Sequence, residues 1–229
     1  TAVTGIHVLS VERLRNYYGL EKKPVRLVDP YQMLGIIDDD LADILHLDTA
    51  GLYPRNTLFG FPNENWKEYR THWGQVILVP EKFNIVTDPE GDYLVFPEGD
   101  TTAPPSGKMP KAGYFFDSII RQDPIIEENL DPEENLEDFS VLTDADLAYW
   151  REQIRSVKDT GKGVVANFGG TSIGDIALVP APFLKHPRGI RDIAEWYMST
   201  VMRPDYLKYI FEKQTEIALE NFWLLFDIA

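Results

Sequence analysis

The succession of secondary-structure signals in residues 143–176 constrains the fold more than any other part of the sequence. Thr143 and Asp146 have the spacing of a capping box, which predicts the start of a helix. One helical stripe follows and consists of Leu147, Trp150, Ile154 and Val157. The run GKGVVANF then predicts a strand, and GGTSIGDI predicts a glycine turn that leads into another helix. Alternating helices and strands indicate an α/β fold.

The glycine turn also spells G-x-S-x-G at residues 170–174, the pattern of a hydrolase nucleophile elbow. A serine nucleophile needs a base and an acid that orients the base. In the hydrolase order the later histidine is His186, and the acid between them is Asp175, one helical turn after Ser172. Asp175 is too close in sequence to build the usual arrangement, so we expect that Ser172 is not a nucleophile.

The same glycines do not fit the common phosphate-binding patterns. No lysine follows Gly170 or Gly174 as in a Walker loop, and Gly169, Gly170 and Gly174 do not have the G-x-G-x-x-G spacing. Backbone amides at the following helix start could still bind phosphate. In the simplest interpretation the glycines permit a close turn, and Thr171 or Ser172 caps the next helix. Glycines at the end of a parallel strand also lie where α/β barrels bind ligands, and the two interpretations are compatible.

The N-terminal part of the chain is predicted to contain short helices. Apolar residues at helical spacing, followed by Gly19, predict a helix over residues 8–19. The dipeptide Asp29-Pro30 predicts a helix N-cap and a first-turn proline, and a second short helix, with the carboxylates of residues 38–40 at its start, is expected after Asp38. The three carboxylates of that second run could suggest a metal, but they also suit the positive end of a helix dipole, and we expect capping.

Short β-rich runs occupy residues 73–97. GQVILVP, FNIVT and YLVFPEG, with the turn residues DPEGD between the last two, predict a hairpin or meander. We expect TTAPPSGKMPKAG to form a loop and YFFD to form another strand. The acidic, proline-punctuated residues 123–138 predict a solvated connector.

The composition excludes several classes of function. With 22 Lys+Arg against 37 Asp+Glu the net charge is −15, which repels nucleic acid and anionic membranes. The chain contains no cysteine, so disulfides, thiolate nucleophiles and cysteine-ligated metals are excluded within it. The longest apolar runs, such as residues 222–226, fall far short of the roughly 20 residues of a membrane span. We expect a cytoplasmic protein.

The predicted C-terminal helix ends in an unusual apolar run. From Pro204 onward the helix keeps one apolar face, yet its end, FWLLF, is apolar on every side. Such an end requires a covering surface, and the sequence does not start at methionine. We therefore expect a fragment or half of an assembly, in which a C-terminal half or a partner chain covers this apolar end.

Four segments resemble those of a known family. The segment VVANFGGTSIGDIALVPAPFL has a strand followed by a glycine-rich turn, and GIRDIAEWYMSTVMRPDYLKYIFEKQTEIALEN has an EWYM helix and an RPD helix start. The other two segments are YLVFPEGDTTAPPSGKMPKAGYFFD and DPYQMLGIIDDDLADILHLD. Together they resemble the uroporphyrinogen decarboxylase superfamily, in particular its uncharacterised and methyltransferase-like branch.

This resemblance implies an α/β fold that is part of a (β/α)8 TIM barrel with N-terminal helices and an inserted β-hairpin or meander. Residues 1–229 would be the N-terminal portion of one barrel domain, with helices, meander and loop in residues 1–140 and the first βα units in residues 141–229. The decarboxylases of this superfamily remove acetate carboxyls from a porphyrinogen, using arginines and an aspartate. The methyltransferases move methyl groups between a corrinoid and a thiol or other acceptor, with zinc held by His and Cys.

The sequence departs from the decarboxylase pattern. The R-Q-A-G-R segment is not found, and the aspartate of the FSD motif has no counterpart around residues 51–53. The glycine turn also lacks the Pro-aromatic-Thr of the decarboxylases. We therefore expect corrinoid-dependent methyl transfer, with porphyrinogen decarboxylation or a non-catalytic assembly subunit as alternatives. The resemblance implies zinc, a corrinoid and a corrinoid protein as partners of the intact protein, with zinc ligands beyond residue 229.

The expected site binds a small-molecule substrate. Its predicted lining consists of Asn167, Gly169, Gly170 and Thr171, with Asp175 orienting them. Arg121 could clamp a substrate carboxylate or pair with one of the acids near it. Lys108 and Lys111 could attract an anionic substrate or be solvated loop lysines.

Other polar and aromatic residues are expected to be structural. His7, His72 and His186 lack the H-x-H and H-E-x-x-H spacings of zinc ligands. Arg203, before a proline, is expected at a helix boundary, and residues 114–116 are expected in the core.

Overall fold

The computed structural model describes residues 5–137, 139–168 and 175–229 and has a mixed α/β architecture. Within these ranges the helices are α1 (Val8–Tyr17), α2 (Asp39–Ile44), α3 (Asp144–Val157), α4 (Ile193–Met202) and α5 (Pro204–Phe226). Short 3₁₀ helices lie at Pro97–Gly99, Glu127–Asn129 and Pro132–Leu136. The strands are β1 (Ile6–His7), β2 (Val25–Asp29), β3 (Leu34–Gly35), β4 (Thr49–Leu52), β5 (Lys67–Arg70), β6 (Val76–Val79), β7 (Ile85–Thr87), β8 (Tyr93–Val95), β9 (Gly107–Met109), β10 (Asp117–Ser118) and β11 (Gly163–Ala166).

The described strands form three sheets. A five-stranded sheet has the order β1-β3-β2-β6-β5, in which only β2 and β6 are parallel. A four-stranded antiparallel meander has the order β10-β9-β8-β7. The third sheet consists of β4 and β11, which run parallel. The described residues form no closed barrel, so the (β/α)8 barrel stays a prediction.

The predicted meander exists, but its composition differs from the expectation in two places. The first predicted run, GQVILVP, contains β6, which belongs to the five-stranded sheet because it pairs with β5 and β2. The expected loop TTAPPSGKMPKAG contains β9. A strand fits there because Gly107 has no side chain, and a Cβ at this position would lie 2.7 Å from atoms of Phe59 and of Val95. The expected strand YFFD contributes only its last residue, to β10.

The prediction of a helix after Asp29 is wrong. The Asp29 carboxylate accepts hydrogen bonds from the backbone N–H groups of Tyr31 (2.8 Å) and Gln32 (3.3 Å), as in an Asx turn. Met33 then adopts a φ of 53°, a left-handed conformation that a continuing helix does not allow. The other predicted N-terminal elements are confirmed. Helix α1 ends before Gly19, which has a φ of 67°, and α2 starts at Asp39.

The helix expected directly after the glycine turn is also not found in residues 175–192. Residues 176–180 form turns, and the next helix in the described chain is α4. Pro180 and Pro182 lack the N–H groups that a helix needs, and Ala181 between them has a φ of 45°. The capping box of α3 is confirmed, because the side chains of Thr143 and Asp146 each accept a hydrogen bond from the other's backbone N–H.

Residues 123–137 are more than a solvated connector. Asn135 is buried, and its amide accepts a hydrogen bond from the Ile190 N–H (2.8 Å) and donates one to the Ile190 carbonyl (2.9 Å). Leu136 is buried together with Trp196 of α4 and Ile210 of α5. The acidic segment therefore covers a second apolar core, whereas the largest core lies around α1, the five-stranded sheet and the meander.

The apolar end of α5 is only partly covered. Leu225 is buried against α3 and the parallel pair, but Phe222, Trp223 and Phe226 are 55%, 60% and 64% exposed. No helix in the described ranges combines the length and the apolarity that crossing a bilayer requires.

Candidate functional site

The parallel pair brings two distant segments to one edge. Gly163 lies opposite Thr49 and Ala166 opposite Leu52, so both strands end at the same level. The pairing continues one step further, because the N–H of Asn167 donates to the carbonyl of Leu52 at 3.0 Å. We call the residues that follow the two strands, Tyr53, Arg55, Asn167 and Phe168, the strand-end site.

Helix α3 fixes this site from one side. The Tyr149 hydroxyl donates a 2.9 Å hydrogen bond to the backbone carbonyl of Tyr53. The next residue, Trp150, is buried and packs edge-on against Phe168, with ring centroids 4.7 Å apart. Both contacts come from neighbouring positions on the first half of α3, so one helix holds the ends of both strands.

Backbone hydrogen bonds also hold the segment after β4. The N–H of Asn63 donates to the carbonyl of Arg55 at 3.0 Å, and the N–H of Thr57 donates to the carbonyl of Phe61 at 2.9 Å. Gly60 closes this loop with a φ of 83°, and a Cβ there would lie 3.0 Å from Phe183. Arg55 is therefore an exposed cation on a hydrogen-bonded loop at the strand-end site.

The titratable groups of the site are neutral phenols and a cation. Burial raises the pKa of Tyr53. Burial also raises the pKa of Tyr149, although the positive charge of Arg55 opposes that shift. Residues 53–56 (YPRN) and 167–168 (NF) contain no carboxylate. The described part of the site can therefore offer hydrogen bonds, aromatic surface and positive charge, but no carboxylate base.

The predicted lining residues are only partly described. Asn167 lies at the strand-end site, and its side chain is exposed. Gly169, Gly170 and Thr171, and with them Ser172, lie outside the described residues. Asp175 begins the next described turn, where its carboxylate accepts a hydrogen bond from the Ala177 N–H at 3.0 Å.

Arg121 binds backbone carbonyls in the 181–185 segment. One terminal nitrogen donates to the carbonyl of Leu184 (2.6 Å) and the other to that of Ala181 (2.7 Å). Burial and the nearby charge of Arg191 lower the pKa of Arg121 to about 10. Its Nε is buried without a partner in the described chain. None of its hydrogen bonds to described residues reaches the strand-end site, so the carboxylate clamp stays a prediction.

The two loop lysines are part of the meander. Lys108 lies in β9 and forms ion pairs with Asp92 (2.8 Å) and Asp88 (3.1 Å), which flank the β7–β8 turn. The backbone N–H of Lys111 donates to the Asp92 carboxylate at 2.9 Å. The Lys108 ammonium is thus engaged by two carboxylates of the hairpin, and the attraction of an anionic substrate by these lysines stays a prediction.

The carboxylates of Asp38–Asp40 are largely engaged by basic side chains. Asp40 pairs with Arg15 at 2.8 Å, and Asp38 pairs with Lys23 (2.8 Å) and Arg26 (2.9 Å). The expectation that this run does not bind a metal stays a prediction. The prediction of side-chain capping is wrong for Asp38, the N-cap residue, because its carboxylate makes no cap hydrogen bond.

Sequence reasoning missed the association of two histidines. His7 and His72 both contact Trp73, with ring centroids 5.4 and 4.7 Å apart, and both lie near Tyr114. The Nδ1 of His7 accepts a hydrogen bond from the Leu9 N–H and caps α1, while Nε2 faces the carbonyl of Tyr114 at 2.9 Å. Because a carbonyl only accepts, Nε2 is the donor in the contact with Tyr114.

The remaining predictions have mixed outcomes. Arg203 lies between α4 and α5 and pairs with Glu127 and Glu195, so the helix-boundary prediction is confirmed. Phe116 is in the core as expected, but Tyr114 and Phe115 are exposed. Residues 114 and 115 lie in a bend, and Phe116, directly before β10, is the one of the three side chains that packs into the main core.

Comparison of the chain with protein-family models, with curated proteins and with solved structures finds no match.

Proposed function

We propose that the chain is the N-terminal portion of an enzyme of the uroporphyrinogen decarboxylase superfamily and that the enzyme transfers a methyl group from a corrinoid to an acceptor. The observation that supports this proposal is the shared end of β4 and β11. The ligand site of an α/β barrel lies at the carboxyl ends of parallel strands, and Tyr53 and Asn167 follow the two strands at that level.

The side chains at this edge favour methyl transfer over decarboxylation. Decarboxylation in this superfamily uses an aspartate for the pyrrole N–H groups, and residues 53–56 and 167–168 offer no carboxylate. Methyl transfer depends instead on positioning an acceptor and excluding water. Tyr53 and Phe168 would supply apolar surface for that purpose, and Asn167 would orient the acceptor.

The described residues do not fit a zinc ion. The chain contains no cysteine, and no group of His, Asp or Glu in the described ranges could hold a metal. No step is therefore assigned to zinc. The methyl donor would arrive as a substrate on a partner corrinoid protein, and the residues of this chain would bind the acceptor next to it.

The test is demethylation of methylcobalamin by the full-length protein, followed by its absorbance change, with a thiol as the methyl acceptor. We expect turnover in the presence of a suitable acceptor. Asn167→Ala should lower kcat/KM by about tenfold, as expected for loss of one positioning contact. Asn129→Ala, at an exposed site in a 3₁₀ helix, is the matched control and should not change turnover.

Two results would contradict the proposal. No turnover with any thiol acceptor, with and without added zinc, would count against methyl transfer. Loss of acetate carboxyls from uroporphyrinogen would identify the decarboxylase alternative instead.

A non-catalytic assembly role is a second candidate, because Phe222, Trp223 and Phe226 are exposed together on α5. Contiguous apolar surface of this kind is typical of interaction sites. Light scattering of the purified protein, compared with a Trp223→Lys variant, tests this role. A complex that the substitution dissociates would support an assembly role. A wild-type protein that is a monomer would contradict it.

A further inference from the structure

A surface groove of about 530 Å³ lies between α1, the segment after it and the β5–β6 turn. Its walls include Trp73 and Gly74 from the turn, Glu12 and Asn16 from α1, and Lys22 and Lys23. The groove adjoins the five-stranded sheet and is therefore distinct from the strand-end site, which belongs to the β4–β11 pair. Its volume lies within the range of about 300–1,000 Å³ that small-molecule sites occupy.

The charge of the groove is opposite to that of the chain. Its charged lining residues are three basic ones, Arg15, Lys22 and Lys23, and one acidic one, Glu12, whereas the whole chain carries −15. Arg15 and Lys23 are engaged by Asp40 and Asp38. Lys22 forms no ion pair with any described residue. The groove therefore offers one unpaired ammonium group, and a second, on Lys23, that is 40% exposed beside its partner.

The aromatic wall is held in place before any ligand binds. The indole N–H of Trp73 donates to the Gln75 side chain at 3.0 Å, and Gln75 in turn donates to the carbonyl of Val8 at 3.0 Å. His7, His72 and Tyr114 pack around the same ring. A fixed ring loses little conformational entropy when a ligand stacks on it.

The rim beside this wall is open. Gly74 has a φ of 88°, and no heavy atom lies within 4 Å of the position that a Cβ would occupy. The backbone next to Trp73 is thus open at this position.

We propose that this groove binds a small molecule that joins a planar ring to an anionic group, of the nucleoside monophosphate type. The ring stacks on Trp73, and the anionic group lies at Lys22 and Lys23. An anion without a ring would not use the aromatic wall, and a nucleic-acid polymer would meet the repulsion of the acidic chain beyond the groove. The combination of a fixed indole with an unpaired ammonium group selects for both parts of the ligand at once.

The experiment measures the Kd of adenosine 5′-monophosphate by calorimetry, with adenosine and inorganic phosphate as partial ligands. We expect saturable binding of the monophosphate, and at least about tenfold weaker binding of each partial ligand, which corresponds to losing one of two contacts. Lys22→Glu should weaken binding of the monophosphate by about fivefold or more, since it replaces an attractive charge by a repulsive one.

Lys208→Glu is the control, because it makes the same charge change on an exposed lysine of α5. It should leave the Kd within about twofold, and circular dichroism should show that both variants are folded. The proposal is overturned if the monophosphate does not bind, if adenosine binds equally well, or if Lys22→Glu and Lys208→Glu have the same effect.

Discussion

The hydroxyl of Tyr149 donates a 2.9 Å hydrogen bond to the backbone carbonyl of Tyr53, 96 positions earlier in the chain. Tyr53 is the first residue after β4, so this bond ties helix α3 to the end of a strand that neighbours it only in space. Together with the packing of Trp150 on Phe168, it sets the geometry of the strand-end site.

Removing this hydroxyl tests the role of α3 in the site. Tyr149→Phe leaves the Tyr53 carbonyl without its side-chain donor, and we expect the free energy of unfolding to fall by about 1 kcal/mol. Urea denaturation measures this change. Tyr197→Phe, on the exposed side of α4, is the matched control and should change stability by less than about 0.5 kcal/mol. Equal effects of the two substitutions would show that the Tyr149 bond does not stabilise the fold.

The close contact at Gly107 gives a second prediction. An added methyl group would lie 2.7 Å from atoms of Phe59 and of Val95, both buried, so Gly107→Ala should destabilise the protein by about 1–3 kcal/mol through overpacking. Gly163→Ala is the control, because the nearest atom to its added Cβ is 3.8 Å away. Thermal unfolding should therefore show a clearly lower Tm for the first variant only, and a normal Tm for Gly107→Ala would mean that β9 can move aside.

A third prediction separates two roles of Arg121. If its guanidinium stabilises the 181–185 segment, Arg121→Gln removes hydrogen bonds to the carbonyls of Ala181 and Leu184 and should lower stability by about 1.5–3 kcal/mol. If Arg121 binds a substrate carboxylate, the same substitution should raise KM while leaving stability nearly unchanged. Urea denaturation and steady-state kinetics on one preparation distinguish the outcomes, and we expect the loss of stability.

The sequence predicts individual helices, strands and turns well, but it predicts less well which strands pair with each other. The capping box of α3, the stop of α1 at Gly19 and the turn between β7 and β8 follow from short-range rules about caps and turns, and each is present. The assignment of β6 to a different sheet from β7 and β8 depends on pairing with β2, about 50 residues earlier, which no local pattern encodes.

In the candidate site, too, the features set by local sequence were predictable and those set by tertiary packing were not. The strand that ends at Ala166, directly before Asn167, was predictable from its apolar run and the glycines after it. Its partner β4, the hydrogen bond from Tyr149 and the position of Arg55 were not, because they arise from tertiary packing between segments far apart in sequence. The helix expected after the glycines is not found in residues 175–192, and the sequence contained a local reason for this, namely Pro180 and Pro182.

The ion pair between Arg15 and Asp40 predicts how stability changes in acid. The Arg15 guanidinium, which donates two 2.8 Å hydrogen bonds, lowers the pKa of Asp40 to about 2 from its ordinary 3.8. A carboxyl whose pKa is lower in the folded state contributes stability that is fully present above the unfolded pKa and is lost as the pH falls towards the folded pKa. Asp40 should therefore stabilise the protein above about pH 4 and lose that contribution between about pH 4 and 2.

Unfolding of the wild type and of Asp40→Asn, followed at a series of pH values, checks this expectation. The two stability curves should differ at neutral pH and converge towards pH 2. Asp39→Asn, on the same helix turn and without an ion pair to a described residue, serves as the control. Parallel curves for the wild type and Asp40→Asn across the acid range would show that the pair is not responsible.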